Sequence, residues 1–144
     1  MTKIVVGYTL SERGEAALEV GIAEARLRDA ELLVMHSSRG GEAERDEDVA
    51  AYAAAGDRIE QRLSSEGLRF RLGEHVLGNS PAEDIVALAR SENAHLIVIG
   101  LRRRTLVGKV ILGSVAQDVL MKAPCPVLVV RPSASKSMSE ESRT

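Results

Sequence analysis

Five short apolar runs, each separated from the next by a stretch of helical periodicity, constrain this chain more than any other feature. The runs are KIVVG at 3–7, ELLVMH at 31–36, RFRLGEHV at 69–76, HLIVIG at 95–100 and PVLVVR at 126–131. Between them, apolar residues recur at intervals of three and four, the spacing of one helix face. Residues 12–29 carry Ala16, Val20, Ala23 and Leu27 in this way, and residues 46–65 carry Val49, Ala53, Gly56, Ile59 and Leu63. A third helix starts at Pro81, where Ser80 and Glu83 fit a capping box and proline's missing N–H costs nothing, with Ile85, Leu88 and Ala89 turned inward. A fourth starts near Ser114, turns Val115, Val119 and Leu120 inward, and must stop before Pro124.

Strict strand–helix alternation with near-continuous apolar strands predicts an α/β fold: a parallel sheet with helices on both faces. Only 69–76 alternates apolar with polar, as an edge strand does. A length of 144 residues suits one domain, expected over 1–131. The serine-rich segment 132–144 reads as a flexible tail, and the acidic loop 39–48 as a second mobile stretch.

Composition removes several functions. A net charge of −2 gives no global pull toward nucleic acid or an anionic membrane. With Tyr8, Tyr52 and Phe70 as the aromatics there is no base-stacking platform. No apolar run approaches the roughly 18 residues of a membrane span, and the first residues lack a secretory signal, so a cytoplasmic location is expected. Cys125 is the single cysteine and, with His36, His75 and His95, shows no metal-ligand spacing. Cys125 reads as a buried, inert thiol, His36 and His95 as structural residues at strand ends, and His75 as solvated.

In such sheets ligands bind beyond the carboxyl ends of the strands, where strand order reverses. Two segments leave strand ends with suitable chemistry: GYTLS at 7–11 and GLRRRTLVGKVILGS at 100–114. The second combines Gly100 and Gly113 with Arg102, Arg103, Arg104 and Lys109, which points to a phosphate-bearing ligand. It is not a P-loop, which would need glycine in place of Arg103 and Ser or Thr in place of Val110; Gly7 and Gly14 do not have dinucleotide-fingerprint spacing. What remains is Gly113-Ser114 opening a helix, so that the N–H groups of Ser114 and Val115 are free donors at a positive dipole end. Arg102 and Arg104 read equally well as a solvated face.

The segment IGLRRRTLVGKVILGSVAQDVLMKAPCPVLVV resembles the last third of the universal stress proteins, whose nucleotide-binding members show G-x2-G-x9-G-[S/T] before a helix and a CPVLVV-like strand. Here the motif is G-x2-R-x9-G-S. KIVVGYTLSERGEAALEVG, ELLVMHSS and GNSPAEDIVALARSENAHLIVIG are similar to the family's earlier elements, so the resemblance covers about residues 3–131. It implies a Rossmann-like, five-stranded parallel sheet of order 3-2-1-4-5 and a homodimer pairing the last strands. It further implies a stress-response regulator that binds an adenine nucleotide of ATP or AMP type, with magnesium where the ligand is ATP, or another small phosphorylated ligand. Phosphates would lie against Gly100, Gly113, Ser114 and Val115, with Arg103 and Lys109 supplying charge and Gly7 room beside the first strand. Two positions depart from the pattern: Arg103 stands for the motif's second glycine, and Thr9 for the aspartate that holds ribose hydroxyls. These departures leave open a ligand-free interaction module acting through a protein partner. Enzymatic activity would be at most slow ATP hydrolysis, since Asp118, one helical turn beyond Ser114, reads as a surface residue.

Overall fold

A computed structural model describes residues 1–36, 46–74, 79–101, 105–106, 109–110 and 112–132. The chain runs β1 (Lys3–Tyr8), α1 (Glu12–Arg28), β2 (Glu31–His36), α2 (Asp46–Ser65), β3 (Phe70–Glu74), α3 (Pro81–Ser91), β4 (Leu96–Gly100), β5 (Thr105–Leu106), β6 (Lys109–Val110), α4 (Ser114–Lys122) and β7 (Val127–Val130). A five-stranded sheet has the order β3-β2-β1-β4-β7, with every neighbouring pair parallel. This is the 3-2-1-4-5 order expected, with β7 as the fifth strand. The tail beyond residue 132 and residues 39–45 lie outside the described residues.

Each face of the sheet carries its own core. On one, Ala17, Leu18, Ile22 and Ala25 of α1 and Ala55, Ile59 and Leu63 of α2 pack on Ile4, Val6, Leu32, Val34 and Val98. On the other, Ala82, Ile85 and Ala89 of α3 and Ala116 and Val119 of α4 pack on Val5, Leu33, Ile97 and Ile99. β1 and β4 are central, so successive residues face one core and then the other, and both sets must be apolar.

The helix faces differ from those expected. α1 buries Gly14, Ala17, Leu18, Gly21, Ile22 and Ala25, and Leu27, expected inward, is 80% exposed. The helix is turned because glycine lets it come closer to the sheet than a stripe of larger residues would. A Cβ on Gly21 would stand 2.4 Å from Val6 Cγ2. Among the described residues of α2 only Ala55, Ile59 and Leu63 are buried, while Val49 is exposed and so is Ala53; the buried ones all lie from its middle onward. In α4 Ala116 and Val119 are buried, whereas Val115 and Leu120, expected inward, are exposed. Cys125, expected buried, is half-buried, and desolvation raises its thiol pKa.

Gly56 of α2 has open space where a Cβ would sit. Gly56→Ala should therefore stabilise the protein by about 1 kcal/mol, or roughly 3 °C in thermal unfolding, through helix propensity alone. A fall in the midpoint would contradict that placement.

Ion pairs tie the elements together. Arg58 bonds Glu15 at 3.0 Å, Arg62 grips Glu19, and Arg26 bonds Glu66 at 3.0 Å, so α1 and α2 are laced along their length. At the amino ends of the strands Glu92 accepts from Lys3 at 2.6 Å and from Arg71 at 2.9 Å, while Arg71 also reaches Glu31 at 3.0 Å. Hydrogen bonds from Arg71 first, and Lys3 second, bring the Glu92 carboxyl from an ordinary 4.5 down to about 2. Because the folded value lies below the unfolded one, this stabilisation is complete above the unfolded pKa. It is lost as pH falls toward 2. Glu92→Gln should remove that part of the acid limb in melts recorded across this window; an unchanged limb would count against the network.

Candidate functional site

Strand order reverses between β1 and β4: the chain moves outward from β1 through β2 to β3, then returns across the sheet to β4 and β7. Gly7 of β1 pairs with Ile99 of β4, so the segments that follow both strands leave the carboxyl edge side by side. In open α/β sheets ligands bind in the crevice at such a point.

After β1 the backbone turns sharply into α1. Ser11 N–H donates to the Thr9 carbonyl at 2.8 Å, and the Ser11 hydroxyl, as N-cap, accepts from Gly14 N–H at 3.2 Å. The Thr9 and Ser11 hydroxyls bond each other at 2.8 Å. A Cβ on Gly14 would lie 1.7 Å from the Thr9 carbonyl oxygen. Glycine at 14 is thus what allows the turn to close. Tyr8, ending β1, is fully buried, donates to Glu15, and meets the His36 ring edge-on at 5.4 Å. Burial, reinforced by Glu15, pushes the Tyr8 hydroxyl pKa above its usual range. His36 in turn lies 4.4 Å from the Tyr52 ring, which joins β2 to α2. The His36 ring is thus packed between those of Tyr8 and Tyr52.

The expected glycines have unequal surroundings. A Cβ on Gly7 would meet Ile85 Cδ1 at 2.8 Å and Ile99 Cγ2 at 3.1 Å, so the space on that side is filled by the protein's own core. A Cβ on Gly100 would fall 2.2 Å from the Arg13 carbonyl oxygen and 2.7 Å from Arg13 Cβ. The bare side of Gly100 therefore receives the first turn of α1. Leu101 follows, buried, its N–H bonded to the Val130 carbonyl at 2.7 Å.

Between β4 and α4 the sequence suggests an open loop, yet the chain folds part of it into a small antiparallel ladder. Thr105 pairs with Val110 and Leu106 with Lys109. This brings the two ends of the segment back toward each other. Arg102, Arg103 and Arg104 lie outside the described residues, and Lys109 is placed by its backbone in β6. Gly113 is the N-cap of α4 with φ −65° and ψ 159°, and among the described residues no side chain caps this helix. The other two helix starts whose caps are described are closed by their own serines: Ser11 on α1 and the Ser80–Glu83 capping box on α3. At α4 the first N–H groups, those of Ser114 and Val115 included, have no acceptor within the helix. Ser114 and Val115 are both exposed. An uncapped helix start with solvent-accessible donors suits an anion.

Two residues of this edge are not apparent from sequence patterns. Asp84, in the first turn of α3, is 6% exposed and accepts from Asn79 Nδ2 at 3.0 Å. Arg13, half-buried beside Gly100, is the other. A basic residue in a helix's first turn is the signal that could have found it. Asp118 is exposed on α4. Among the described residues no group of three or more His, Cys, Asp or Glu could hold a metal ion, and no helix is long and apolar enough to cross a membrane.

A family model described as the universal stress protein family matches residues 1–131. A universal stress protein of Mycolicibacterium smegmatis is 42% identical over 131 residues, spanning 90% of this chain and 97% of the relative. A universal stress protein structure from Archaeoglobus fulgidus superposes with a TM-score of 0.75 at 37% identity, covering 90% of this chain and 98% of the other. A universal stress protein from the same organism in complex with dAMP gives 0.70 at 34% identity, covering 90% and 98%.

Proposed function

Since the chain belongs to the universal stress protein family, we propose that it is a regulatory protein that binds an adenine nucleotide at the carboxyl ends of β1 and β4. The observation that carries this reading is the uncapped start of α4 at Gly113, set at the point where strand order reverses. The phosphate takes the donors of Ser114 and Val115 and the favourable end of the helix dipole. Gly100 holds α1 close, and Arg103 and Lys109 add positive charge from the intervening segment. Gly7 keeps β1 narrow enough for Ile85 to pack beneath the crevice. The dAMP complex of the Archaeoglobus relative supports a nucleoside monophosphate as one ligand; ATP, with magnesium, is the larger alternative. Binding regulates by favouring one of two states of the protein. The exposed β7 edge, with Leu128 on β7 and Leu120 and Met121 on the adjoining helix, is where a second copy pairs to form a homodimer.

Calorimetric titration of the full chain with ATP, AMP and cyclic AMP should show at least one dissociation constant tighter than about 1 mM. If none of the three binds, the nucleotide reading is wrong. Thr9 favours the alternative, an interaction module without a small ligand: it carries no charge, and its hydroxyl is already bonded to Ser11. Retained partner capture with no nucleotide binding would select that reading.

A further inference from the structure

We draw no further inference here: the strongest candidate, the apolar stripe of Ala16, Val20, Ala23 and Leu27 that α1 turns away from its buried face, consists mostly of small residues, the charges of Glu19 and Arg26 on that helix are already paired with Arg62 and Glu66 of the neighbouring segment, and nothing in the structure shows what covers it.

Discussion

Gly14→Ala is expected to lower the midpoint of thermal unfolding by roughly 10 °C, corresponding to about 3 kcal/mol. The added methyl would stand 1.7 Å from the Thr9 carbonyl oxygen and 2.6 Å from Thr9 C and N. These are backbone atoms, so no rotamer change relieves the overlap. Shifting α1 is no easier. Gly21 already allows contact with Val6, and the backbone of Arg13, the residue before Gly14, abuts Gly100. The strain must open the turn between β1 and α1, breaking the Ser11 bonds to Thr9 and Gly14. Gly14→Ala should consequently weaken any nucleotide bound at this edge as well as the fold. Differential scanning calorimetry on Gly14→Ala and Gly56→Ala side by side checks the reasoning, because the same chemical change should have opposite signs. A Gly14→Ala midpoint within about 2 °C of wild type would show that the turn is not closed as described.

Gly113→Asp is expected to cut nucleotide affinity by about 100-fold, or about 2.7 kcal/mol, while leaving the protein at least as stable. The backbone at Gly113, with φ −65° and ψ 159°, is a conformation any residue adopts, so the change introduces no backbone strain. Aspartate is a preferred N-cap, and its carboxylate would accept from the first N–H groups of α4. It would thereby occupy the donors assigned to the phosphate and set a like charge against it. At about 4 Å near a protein surface such a repulsion approaches about 4 kcal/mol. Calorimetric titration and a melt on the same variant read both effects. Unchanged affinity would place the ligand away from α4, and a lower midpoint would mean that Gly113 has a packing role.

Much of the fold was legible because it depends on periodicity, which is local. The five apolar runs and the four amphipathic stretches appear where expected, with ends shifted by a residue or two, and the Ser80–Glu83 capping box forms as the sequence indicates. Which side of a helix turns inward was not legible in the same way. In α1, a spacing of three and four selects Ala16, Val20, Ala23 and Leu27, yet the helix docks through Gly14, Ala17, Leu18, Gly21 and Ile22, a face whose glycines break the apolar pattern. Small residues have little hydrophobic signal of their own, and their value lies in what they let approach. The β5–β6 ladder was likewise hidden, since two-residue strands carry no periodicity.

The candidate site divides along the same line. The α4 start at Gly113-Ser114 follows from residue order, because a helix N-terminus leaves its donors open wherever no side chain caps it. The meaning of Gly100 does not. As sequence it is a bare backbone suited to a ligand; in three dimensions its missing Cβ admits Arg13 from a helix nearly ninety residues away in the chain. Alternating apolar patterns determine that this chain makes a doubly covered parallel sheet. Only tertiary packing decides which glycines serve the helix–sheet contact, because a close approach belongs to two segments at once and neither encodes it alone.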